Sequence, residues 1–76
     1  MNEHPAAILV NGSPLKWDDV SGDRFRGRVG DFGAEVRRLY GNCWTAKATT
    51  AGETAYVVHA AASPEEAASK LGELMA

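Results

Sequence analysis

At 76 residues the chain has room for one small domain, and its formal net charge of −2 argues mildly against a general nucleic-acid binder. Its 45% apolar content fits a folded chain, and the absence of an apolar run of about 18 residues excludes a membrane-spanning helix. Cys43 is the only cysteine, which excludes an internal disulfide and makes a reducing, cytoplasmic setting the expectation.

Residues 1–5 hold Glu3 and no basic cluster, and they are expected to be a flexible N-terminus. The apolar stretch 6–10 is too short for a signal-peptide core. Residues 7–17 read as a hairpin. Ala7-Ile8-Leu9-Val10 is followed by Asn11-Gly12, a pair suited to a turn with positive φ, and then by Leu15-Lys16-Trp17. Pro14 cannot donate to a strand ladder, so the second arm should be an edge or very short. Residues 18–23, rich in Asp, Ser and Gly, read as a loop.

Antiparallel strands are expected over 25–61. Residues 25–29 form a strand weakened by Gly27, and Gly30 and Gly33 bracket Asp31-Phe32 as a turn. Residues 34–40 form a more polar strand, Gly41-Asn42 a two-residue hairpin turn, 43–50 a Thr-rich strand around Trp44, and Ala51-Gly52 another turn. Residues 54–61 are the most β-like, through Tyr56, Val57 and Val58.

Residues 63–75 carry the clearest signal. Ser63-Pro64-Glu65-Glu66 encodes a capping box, with Pro at the first helical position and negative charge at the positive end of the helix dipole. Ala67, Ala68, Leu71, Leu74 and Met75 then recur at helical spacing. Such a helix, about 12 residues long, is marginal alone and must pack on something. The expected fold is α+β, a single domain over 1–76: a small antiparallel meander of three to five strands with one C-terminal helix on one face.

Two-residue loops imply a register. Leu39 would pair with Trp44, Ala46 with Val57 and Ala48 with Ala55. Alternation then puts Leu39, Trp44, Ala46, Ala48, Ala55 and Val57 under the helix, with Glu35, Arg37 and His59 at the rim. Trp44 becomes the central core residue. Gly72, unfavourable in a helix by about 1 kcal/mol, would permit close contact with the sheet or with Trp44. The opposite face collects Val36, Arg38, Tyr40, Cys43, Thr45, Lys47, Thr49, Tyr56 and Val58. Either the N-terminal hairpin covers it through Ile8, Val10 and Trp17, or it is open and binds a partner. In the open case the partner-binding candidates are Arg38, Tyr40, Thr45, Lys47 and Tyr56, since Tyr and Arg are enriched at interface hot spots.

Charge is segregated along the chain. Residues 24–47 hold six cations against two acids, while the rest holds Lys16 and Lys70 against eight acids. Catalytic and metal-binding patterns are missing. The soft ligands His4, His59 and Cys43 lack metal-site spacing, and the expected register points Cys43 and His59 to opposite faces. Asp18, Asp19 and Asp23 lack the ligand alternation of a calcium loop. Asp31-Phe32-Gly33 occurs without the other kinase elements, and no helix start follows the glycines 27, 30 and 33, as a phosphate loop would require.

Phe25-Arg26-Gly27, Trp44-Thr45-Ala46 and Glu65-Glu66-Ala67-Ala68 faintly resemble parts of the plant AP2-type DNA-binding domain, whose three-stranded sheet reads the major groove. The chain lacks the dense arginines and tryptophans of those reading strands and is not assigned to that family.

These features lead to the expectation of a small, non-enzymatic protein-binding module without cofactor or metal. It would act as a monomer or homodimer by stoichiometric docking, and it has the size and acidity of phage or mobile-element inhibitors of the anti-CRISPR or anti-restriction type. A host nucleoprotein complex is one such partner. The alternative is a nucleic-acid-binding sheet using Arg24, Arg26, Arg28, Arg37, Arg38 and Lys47 on phosphates, with Tyr40 or Tyr56 stacking on bases.

Overall fold

A computed structural model describes residues 7–18 and 23–76. The N-terminus expected to be flexible, with His4, and the middle of the acidic loop, with Asp19, lie outside the described residues. Six strands run in chain order: β1 (Ala7–Val10), β2 (Ser13–Trp17), β3 (Arg24–Val29), β4 (Phe32–Tyr40), β5 (Cys43–Thr50) and β6 (Glu53–Ala61). One helix, α1 (Pro64–Met75), follows. The strands form a single antiparallel meander in the order β1-β2-β3-β4-β5-β6. The sheet is thus one strand wider than the upper limit of the sequence-based expectation. The N-terminal hairpin does not lie across a face. It continues the sheet by pairing β2 with β3 through Lys16 with Arg26 and Trp17 with Phe25.

Glycine-containing turns set the strand order. Asn11 and Gly12 both take positive φ, 50° and 84°, as a primed turn demands. Ala51 and Gly52 do the same at 53° and 80°. Between β3 and β4 the turn is Gly30-Asp31, so Phe32 and Gly33 belong to β4 rather than to the turn.

Three added residues then decide which side chains face the helix. Arg38 pairs with Trp44 and Tyr40 with Cys43, which leaves Leu39 as an extra residue in β4. On β6, Ala55 is extra between the Ala48–Tyr56 and Thr49–Thr54 pairs, and a second bulge falls between Val58 and Ala61. A one-residue slip turns a strand's side chains to the other face. Trp44, Ala46 and Ala48 therefore lie on the helix side as expected, but Val36, Tyr56 and Val58 join them, while Leu39, Ala55 and Val57 are exposed.

A row of directly opposed residues crosses the core from Trp17 through Phe25, Val36 and Ala46 to Val58. Phe25 is fully buried at its centre, with ring centroids 5.0 Å from Trp17 and 6.3 Å from Trp44. Phe25, rather than Trp44, is the middle of the core. Leu15 lies over Gly27, where a Cβ would come within 2.8 Å of Leu15 Cδ2.

The helix contacts β1, β4, β5 and β6, so the sheet curls around it far enough for both edge strands to reach it. Ser63 caps it, its hydroxyl accepting from the amide of Glu66 at 3.1 Å. The Glu66 carboxylate reaches back to the amide of Ala62, at 3.1 Å, rather than to that of Ser63. The buried face is Pro64, Ala67, Ala68, Leu71 and Gly72, while Leu74 is half exposed. Gly72 does sit at a close contact, as expected, but against the β1–β2 turn: a Cβ there would lie 2.9 Å from the backbone nitrogen of Asn11. No helix among the described residues is long and apolar enough to cross a membrane.

A candidate basic interface on the open face of the sheet

The helix covers one face of the sheet, and no described element covers the other. Alternation from the core row dictates what that open face carries. One ladder of directly opposed residues crosses all six strands: Ala7, Lys16, Arg26, Glu35, Lys47 and Val57. On one side of it lies a second row, Arg24, Arg37 and Thr45, and on the other a third, Arg28, Gly33 and Thr49. Six of the eight Lys and Arg side chains of the chain, at 16, 24, 26, 28, 37 and 47, thus occupy one face.

Two carboxylates organise this face from within. Asp18 accepts from Arg24 Nη2 at 2.9 Å and Nε at 3.1 Å, and its Oδ2 lies 3.7 Å from Arg26 Nη1. Glu35 accepts from Arg24 Nη1 at 3.1 Å and stands 3.8 Å from Lys47 Nζ. The hydrogen bond to Asp18 is the chief cause that raises the Arg24 pKa above its ordinary value; desolvation opposes the rise and the charge of Glu35 supports it. A raised folded pKa stabilises at every pH below the ordinary arginine value, and the effect fades only as pH climbs through the folded one. The Arg24 clamp is therefore constant across the neutral range. Among the described residues, Lys16, Arg28 and Arg37 have no carboxylate within 4.0 Å. Arg37 stands directly opposite Arg24, an arrangement of like charges that costs stability in a sheet.

The five expected partner-binding residues do not share a surface. Thr45 and Lys47 lie on the open face, as expected. Tyr56 is on the helix side, half-buried, with its ring centroid 5.7 Å from that of Phe32. Arg38 shares the face of Trp44 at the end of β4 and binds Asp23 at 2.9 Å. Tyr40 is 72% exposed at the tip of the β4–β5 hairpin. The bulge at Leu39 and the slip at Ala55 are the physical reasons for this division. Glu35, Arg37 and His59, expected at the helix-side rim, lie on the open face instead. Alternation also places Cys43 on that face, so Cys43 and His59 do not point to opposite sides. Among the described residues, no three His, Cys, Asp or Glu side chains come together as metal ligands would.

Lys16 lies outside the basic segment 24–47, across the acidic loop, and the β2–β3 pairing brings it beside Arg26. No local sequence signal identifies it. Towards β6 the open face becomes less charged: Leu39, Thr45, Val57 and His59 line a shallow depression with Arg37 and Lys47. No protein-family model matches the chain, and no curated protein or solved structure shows significant similarity to it.

Proposed function

We propose that the chain is a non-enzymatic docking module whose open sheet face binds an acidic surface of a partner protein by rigid, stoichiometric contact. The observation that carries this reading is the cross-strand ladder Lys16, Arg26, Glu35, Lys47, flanked by Arg28 and Arg37, which have no carboxylate within 4.0 Å among the described residues. Charge complementarity of this kind steers association and fixes orientation. Leu39 and Val57, 48% and 42% exposed, add the apolar surface that a phosphate backbone would not use and a protein would.

The test is retention of a partner by the immobilised wild-type chain and by an Arg28→Glu/Arg37→Glu variant, from a nuclease-treated extract of the source cells. Neither arginine has a carboxylate partner among the described residues, so the reversal breaks no ion pair among them. The expected result is one protein retained in stoichiometric amount by wild type, eluted by salt, and lost with the variant. Equal retention by both chains defeats the assignment of this face.

A second reading, nucleic-acid binding, is favoured by the gathering of six cations on one face. Two features weigh against it. A sheet six strands wide spans about 24 Å at 4.8 Å per strand, against a major groove about 12 Å wide. Neither tyrosine proposed for stacking lies in the basic rows. Duplex binding that is tight at about 50 mM salt and falls steeply as salt rises would favour this reading over the first.

A further inference from the structure

Gly33 occupies the middle of the third row of the open face, between Arg28 and Thr49. A glycine inside a strand costs roughly 0.5–1 kcal/mol relative to alanine. Each of the other described glycines has a reason in the fold. Gly12, Gly30, Gly41 and Gly52 take positive φ, and Gly27 and Gly72 leave no room for a Cβ. Gly33 has neither reason. Its φ is not positive, and the nearest atom to a Cβ would be Thr49 Oγ1 at 3.6 Å, an ordinary contact.

The missing side chain leaves a notch at one end of a broad, shallow depression in the open face; Arg26, Arg28, Lys47 and Thr49 line it with Glu35, and the carboxylate of Asp18 lines it further along. Glu35 is engaged by Arg24 and Lys47, and Arg28 has no carboxylate within 4.0 Å among the described residues. The Thr49 hydroxyl lies 3.4 Å from the Gly33 carbonyl and closes one side. Glycine in a strand interior otherwise marks a point where another backbone or a ligand approaches closely. We propose that the Gly33 notch is the anchor of the interface: an acidic segment of the partner protein runs over Gly33 and sets a carboxylate against Arg28, with Arg26 and Lys47 on its flanks. This inference rests on the docking function proposed above and narrows it to one subsite and one partner chemistry.

The test uses the 15N-labelled chain, its Gly33→Ala and Gly33→Val variants, and two probes: a peptide of alternating Glu and Ser, and a short DNA duplex. The peptide is expected to shift the amide resonances of Arg28, Gly33 and Thr49. Gly33→Val is expected to melt no lower than wild type, since a β-branched residue suits a half-buried strand position with no close neighbour but Thr49, and yet to bind the peptide at least about tenfold more weakly. Gly33→Ala, whose methyl group fits, should also keep its melting temperature. If both variants melt lower, the glycine serves the fold and the proposal fails. If the peptide binds Gly33→Val as well as wild type, with shifts over Arg37 and Val57 instead, the basic face stands and the notch does not. A face that responds to the duplex and not to the peptide, or to neither, overturns the notch and the protein-docking reading together.

Discussion

Ala51 is the residue whose local preference most clearly opposes the fold. It holds φ at +53°, next to Gly52 at +80°, in a turn whose geometry asks for Asn-Gly. The β1–β2 turn has that pair, Asn11-Gly12, in the same conformation. An alanine in the left-handed region carries roughly 1–2 kcal/mol of steric cost, which asparagine partly avoids by hydrogen bonding locally. Ala51→Asn is therefore expected to stabilise the chain by about 0.5–1 kcal/mol, seen as a higher urea midpoint with an unchanged slope. An unchanged midpoint would mean that the strain is relieved elsewhere in the turn. Gly27 and Gly72 show the opposite balance. Their conformational cost is set by contacts from other elements, Leu15 and the Asn11 backbone, so no local propensity accounts for them.

Among the elements, the helix is encoded most completely by its own residues. Its cap, its proline at the first turn and its acidic N-terminal end act within one turn, and the structure shows the Ser63 cap in place. Ser63→Ala leaves the Glu66 amide without its acceptor and is expected to cost about 1 kcal/mol in chemical denaturation, with no change in the open face. The strands differ in how far their own residues determine them. The turns placed the hairpins, but turn type alone could not reveal the extra residues at Leu39 and Ala55. Those bulges also bear on the free edge of the sheet. β6 is an edge strand of nine residues, and its two bulges break the even row of backbone groups that would otherwise template pairing with another chain. The other edge, β1, has four residues.

At the scale of the whole molecule, one aromatic cluster joins the two halves of the meander. Phe25 on β3 touches Trp17 on β2 and faces Trp44 on β5, and all three lie on the side closed by the helix. A domain of this length has about 4–11 kcal/mol of stability. Phe25→Ala, expected to cost about 3–5 kcal/mol, should therefore bring the chain close to unfolding at room temperature, and the same truncation of Tyr40 should change little. Loss of near-ultraviolet dichroism and of the cooperative melt would report the first effect. Charge is also arranged globally. The open sheet face carries most of the cations, while Glu65, Glu66 and Glu73 lie on the helix side, so a chain of net charge −2 presents a basic face. The proposed docking depends on that separation and not on the net charge.

The sequence alone determined most of the secondary structure, the meander order of its middle strands, the capped helix and the burial of Trp44, because propensity, turn chemistry and capping act over a few neighbouring residues. It also marked the basic segment from 24 to 47. Only the tertiary structure decided that the N-terminal hairpin extends the sheet, that Tyr56 and Val36 face the helix, and that Lys16 joins Arg26, Arg28, Arg37 and Lys47 on the open side. Those outcomes turn on single added residues and on the register in which consecutive strands pair. In a sheet of period two, one added residue moves every later side chain to the other face.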